Sequence, residues 1–176
     1  MCEPYLDQAI LRRLLRYSKK TGRFVWRKRD DVRAAWNTRY AGKGAGFRWS
    51  PDGRTFYRVI RIFDWPFLAH RLARLYVTGR WPDNGIDHRN TDGEDNRWRN
   101  LRDATKVQNG ANRGRNANNK TGFKGVSIYG KSGRYRATIQ FAGKWKHIGT
   151  FDRPEAAAAA YRREAVRLAG TFARAS

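Results

Sequence analysis

Residues 110–122 (GANRGRNANNKTG) offer almost nothing to bury. Asn, Gly and basic side chains in such a run favour solvated, extended backbone rather than a packed element. The run therefore cuts the 176-residue chain into two pieces, and each must close its own core. Apolar residues make up 40% of the chain, including 7 Trp, 8 Tyr and 9 Phe, so two small cores are within reach and wholesale disorder is not expected. The expected organisation is a first domain at 1–112, a basic linker at 113–121 and a second domain at 122–176. No internal repeat relates the two pieces.

In the first piece, Ile10, Leu11, Leu14 and Leu15 fall on one stripe with Arg12, Arg13 and Arg16 outside it, which predicts an amphipathic helix over residues 6–17. Residues 23–29 read as a strand, 30–53 as loop with short strands, and 55–63 as a β-rich strand. After Pro66, Leu68, Leu72, Leu75 and Tyr76 share a face and Gly79 follows, so residues 67–79 are predicted helical with the proline in the first turn. Between 85 and 112, two short strands flank a polar loop and a helix starts near Thr105. The second piece predicts three strands with glycine-bearing turns, then one helix opened by Pro154 and closed by Gly170. The fold class expected is α+β.

Charge narrows the partners. Lys and Arg number 38 against 15 acids, a formal +23. Self-repulsion of that size suits a polyanionic partner, with nucleic acid ahead of an anionic membrane. Residues 120–176 hold 12 Lys/Arg against 3 acids and the first 119 hold 26 against 12, so both modules are expected to meet the polyanion. No apolar run reaches the length of a membrane span, and the first ten residues lack a signal peptide's layout. The lone Cys2 suits a reducing cytosol. With one Cys and only His70, His88 and His147, no structural-zinc spacing exists, and any metal is expected to be held by oxygen.

Asp87 and His88 stand before the turn-forming Asn90-Thr91-Asp92-Gly93. Neighbours on a strand point to opposite faces, so the pair can serve one site only at a strand end. A carboxylate and an imidazole are an oxygen ligand for a hard cation and a base that titrates near neutrality, as phosphodiester hydrolysis requires. Taken alone, the dipeptide is better explained as a turn Asp beside an exposed His. Asp92, Glu94, Asp95 and Asn96 lack calcium-loop spacing and read as groups ordering the loop. His70 reads as an exposed or core-edge histidine, with a phosphate contact as the lesser alternative, and His147 belongs to the second module.

The wider stretch IDHRNTDGEDNRWRNLRDATKVQN resembles the HNH endonuclease family, in the branch of phage intron-encoded nicking enzymes with Asn at the last motif position. AHRLARLY at 69–76, Trp81-Pro82 and LRYSKKTGRFVWRKR near the start also look like this branch, so the resemblance covers about residues 10–113. It implies a ββα-metal site with its core at about 84–112. Asp87 and Asn109 would bind one divalent ion, His88 would deprotonate water, and Asn100 would hold the imidazole or the loop around it. An amide oxygen at Asn109 favours magnesium or manganese over zinc. It further implies a phage- or prophage-encoded protein in the cytoplasm of a bacterial host.

The second module resembles the AP2 domain over about residues 122–173, on Gly125-Val126, Gly133 through Ala137, Ile148 through Phe151, Glu155-Ala156-Ala157 and Ala160-Tyr161. Tyr135 stands where the family has Trp. The resemblance implies a three-stranded antiparallel sheet on one helix, docked in the major groove. Alternation places Tyr135, Ala137 and Ile139 toward the helix, and Arg134, Arg136, Thr138 and Gln140 outward with Lys124, Tyr129, Trp145 and His147. Arg113, Arg115 and Lys120 in the linker are expected on phosphates. The resulting reading is a monomeric, metal-dependent endonuclease acting on double-stranded DNA and nicking one strand. A non-catalytic DNA-binding regulator is the alternative, and an RNA-associated protein lacks the aromatic motifs that reading needs.

Overall fold

The computed structural model describes residues 5–174, so Cys2 lies outside the described residues. The chain divides into two compact units, at residues 1–103 and 104–176. That division falls ahead of the helix that starts near Thr105, and places both it and the basic run with the second unit.

In the first unit, Asp7 caps α1 (Gln8–Leu14) by accepting from the Ile10 amide at 2.7 Å. The expected helix ends sooner than its apolar stripe. Leu15 turns extended, and β1 (Leu15–Tyr17) pairs antiparallel with β2 (Phe24–Trp26). Leu14 and Leu15 are both buried across this junction, and strand alternation continues the burial through Tyr17. The stretch expected as loop carries α2 (Ala34–Tyr40), which buries no residue, and β3 (Phe47–Trp49).

Strands β3, β4 (Tyr57–Ile62) and β5 (Trp65–Leu68) form one antiparallel sheet in that order. Phe63 and Asp64, with φ of 51° and 64°, make the two-residue turn joining β4 to β5. Pro66 lies opposite Arg61 on β5, an outer strand where a residue without an N–H is tolerated. The predicted helix therefore starts later, as α3 (Ala69–Thr78), with Gly79 closing it at φ 77°. Leu11, Leu14, Leu15, Ile60, Leu72 and Leu75 fill the core, and β6 (Gly85–His88) and β7 (Leu101–Ala104) pair beside it through Ile86 and Leu101.

The second unit opens with α4 (Lys106–Ala111), capped by Thr105 and Gln108 in a reciprocal pair of hydrogen bonds. Strands β8 (Val126–Tyr129), β9 (Arg134–Phe141) and β10 (Lys144–Phe151) form an antiparallel sheet with β9 central. α5 (Pro154–Ala169) lies on it through Ala157, Ala158, Tyr161 and Ala165. Packing is close enough that a Cβ on Gly125 would sit 2.1 Å from the Tyr161 ring. The run at 110–122 is more ordered than its composition predicts: Asn119 donates to the carbonyls of Phe123 and Val126 at 2.8 and 3.1 Å, and Arg115 donates to that of Gly122 at 2.9 Å. Among the described residues, no helix is long and apolar enough to cross a membrane.

Candidate active site

β6 ends at His88, and both side chains at its end are buried: Asp87 is 3% exposed and His88 6%. The turn that follows is tight, with Thr91 at φ 62° and its amide donating to the His88 carbonyl at 2.8 Å. From the paired strand β7, Arg102 reaches Asp87 through Nε and Nη2, both 2.7 Å from Oδ2. The pair is almost wholly withdrawn from water, which makes it costly to break on one side alone. The sequence reading gave Arg102 no role, because nothing in its spacing says which carboxylate it meets.

His88 lies against the ring of His70, centroids 5.0 Å apart and nearly perpendicular, with Tyr57 at 6.3 Å. Burial holds the His88 imidazole below its ordinary pKa, opposed by the hydrogen bond it donates to Asn96 and by the charge of Asp87. His70 is pushed down to about 3, chiefly by burial and further by His88 and Arg71, so both rings are neutral at pH 7. His70 is thus a core residue, and its Nδ1 has no hydrogen-bond partner among the described residues.

Asn100 holds the loop rather than the imidazole. Its Oδ1 accepts from the Asn90 amide at 3.1 Å, and its Nδ2 donates to Asn90 Oδ1 at 2.9 Å and to the Asp95 carbonyl at 2.8 Å. Asp92 accepts from the Glu94 amide at 3.0 Å, and Glu94 meets Arg48 at 2.8 Å. Asp95 pairs with Arg97, whose guanidinium holds its carboxyl below the usual range. Asn96, read from the sequence only as a loop-ordering group, also meets His88: its Oδ1 lies 3.3 Å from Nε2.

Asn109 is exposed on α4, in the second unit. Among the described residues, no group of three or more His, Cys, Asp or Glu could hold a metal ion. A hard cation needs no such group: magnesium takes one or two protein oxygens and completes its shell with water and substrate phosphate. The buried Asp87 carboxylate is an oxygen donor of that kind, shared here with Arg102.

In the second unit, Ala137 and Ile139 are buried and Tyr135 packs toward α5. Arg134, Arg136 and Gln140 are exposed on the other face, with Thr138 half-buried. Trp145 and His147, opposite Gln140 and Thr138, join that face, and Trp145 is 72% exposed. Arg136 stacks over Tyr129 at 5.6 Å, and Arg134 pairs with Asp152 at 2.8 Å. Lys124 departs from the expected placement. Its ammonium donates to the carbonyls of Ala111, Arg113 and Arg174 at 2.8, 2.6 and 3.1 Å. Burial then lowers its pKa to about 8. Arg113 and Lys120 remain exposed.

No curated protein and no solved structure matches the chain. A family model described as HNH endonuclease matches residues 67–111, the stretch carrying α3, the β6–β7 pair and α4; this segment is similar to HNH nuclease domains, and the match points to nuclease activity of that general kind.

Proposed function

We propose that the protein is a metal-dependent, site-preferring endonuclease that hydrolyses a phosphodiester of double-stranded DNA, nicking one strand as a monomer. The observation that carries this is the burial of Asp87 and His88 together at a strand end, beside a loop clamped by Asn100. A buried carboxylate followed by a buried imidazole with a lowered pKa is a pattern that functional sites favour.

A magnesium or manganese ion on Asp87 and Asn109 would supply charge stabilisation at the scissile phosphate and the leaving oxygen. His88, neutral at pH 7, takes the proton of the attacking water. Asn100 fixes the loop that carries the site, and Arg102 fixes Asp87. In the second unit, which resembles AP2 domains, the face of Arg134, Arg136, Thr138, Gln140, Tyr129, Trp145 and His147 reads the major groove. Arg there suits guanine and Gln suits adenine. Arg113, Arg115 and Lys120 follow phosphates. The phage origin and bacterial cytoplasm suggested by the resemblance belong to this same reading.

The test is digestion of a DNA library with magnesium, mapping the 5′-phosphate ends, with His88→Ala alongside. Cleavage by the native protein and a loss of roughly 10²–10⁴ in single-turnover rate at unchanged DNA affinity are expected. Binding without any cleavage would favour a DNA-binding regulator instead, a reading to which the Asp87–Arg102 pair lends some support.

A further inference from the structure

Asn96 is 3% exposed, and its amide nitrogen donates to the Glu94 carbonyl at 3.1 Å. The atom left to face His88 Nε2 is therefore the oxygen, at 3.3 Å, and a carboxamide oxygen only accepts. The facing ring nitrogen must carry the hydrogen, which puts the imidazole lone pair on Nδ1.

Asn96 is itself held by the β1–β2 hairpin, outside the segment matched by the HNH family model. The Tyr17 hydroxyl donates to the Asn96 carbonyl at 2.7 Å, and Tyr17 is buried. The Trp98 amide donates to the Lys19 carbonyl at 3.0 Å. Gly22, at φ 73°, packs so closely that a Cβ there would lie 2.4 Å from the backbone between Asn96 and Arg97. Three contacts from one hairpin thus converge on the two residues either side of a single peptide bond and on their neighbour.

We propose that Asn96 is a positioning residue for His88, selecting the Nε2-protonated imidazole, and that the N-terminal hairpin is the support that keeps Asn96 in place. This rests on His88 acting as the base of the proposed endonuclease. A base must present its lone pair in a fixed direction, and a ring free to exchange tautomers presents it correctly only part of the time.

The tautomer can be read without any cleavage. Nitrogen-15 spectra of histidine-labelled, full-length, metal-free protein, recorded at alkaline pH, distinguish the protonated from the unprotonated ring nitrogen. The His88 signals are identified by their loss in His88→Gln. The native protein should show Nε2–H, Asn96→Ala a mixture, and Asn96→Asp, which keeps the acceptor oxygen, a return to Nε2–H. Tyr17→Phe should move the signals in the same direction as Asn96→Ala but less. In single-turnover cleavage, Asn96→Ala should be about ten-fold slower or more, part of the ~10²–10⁴ that a positioned base supplies, with DNA affinity and half-saturating magnesium unchanged. An Asn96→Ala spectrum identical to the native one, or a native protein with Nδ1–H, overturns the proposal. A native protein that shows the expected tautomers yet cuts no DNA overturns the endonuclease reading alone.

Discussion

At the scale of single residues, Asp87 and His88 owe their chemistry to where a strand stops. Both are buried at the end of β6, where a continuing strand would send neighbouring side chains to opposite faces. Their proposed roles separate in a magnesium titration. Asp87→Ala and Asn109→Ala should each raise the concentration needed for half-maximal cutting, since each removes an oxygen ligand from a site with few protein ligands; unchanged half-saturation in both would sink the coordination. His70 gives a second, independent handle. Its folded pKa of about 3 lies below the unfolded value near 6.5, so the unfolded chain binds the extra proton between those values. Stability is then fully present above about pH 6.5 and falls as the pH drops, by roughly 1.4 kcal/mol per unit until about pH 3. Denaturant titrations across that range should show a shallower fall in His70→Leu, and an equal slope would remove His70 as the cause. The spacing of Asp87, His88, Asn100 and Asn109 could be read from the chain because the motif is local in sequence, and their roles remain proposals. Arg102, His70 and the Asn96–His88 contact could not, because each is set by strand pairing or helix packing between distant residues.

Among the elements, the legible ones were those whose apolar period ran unbroken and ended on a recognisable cap. α5, with Pro154 at its start, is of that kind, whereas α4 has no apolar period and only its start near Thr105 could be read. The failures have local causes. The apolar stripe of α1 continues into β1 because Leu15 and Tyr17 are buried by strand alternation just where helical spacing would also bury them. The β4–β5 hairpin was hidden by its turn: Phe63 and Asp64 adopt the left-handed backbone that Asn-Gly normally signals. That mismatch is testable. Phe63→Asn combined with Asp64→Gly should relieve two positive-φ positions and stabilise the protein by about 1 kcal/mol, visible as a rise in melting temperature. A fall would mean that Phe63 contributes more through contact than its half-exposed ring suggests.

For the whole molecule, the two-unit division was legible in the barren run at 110–122, although the units part at 103/104 and that run is tied down by Asn119, Arg115 and Lys124. A division of labour should show in deletion and substitution. Removing 116–176 should weaken specific binding strongly while nicking survives at high enzyme concentration. Arg136→Ala with Gln140→Ala should relax base preference on one side of the cut, at about 1–3 kcal/mol per lost contact. Arg113→Ala with Arg115→Ala should weaken all sequences alike and flatten the salt dependence by about one unit per phosphate contact. Identical footprints and affinities for the full and truncated chains would leave the second unit without a DNA-reading role. Pro66 carries a last consequence, for behaviour in concentrated solution. The outer rim of β5 presents a proline where a pairing strand would need an N–H, so a second molecule cannot continue the sheet there. At high salt, where mutual repulsion of the +23 chains is screened, that missing hydrogen is what keeps this rim from seeding aggregates, and Pro66→Val should precipitate at salt concentrations the native protein survives.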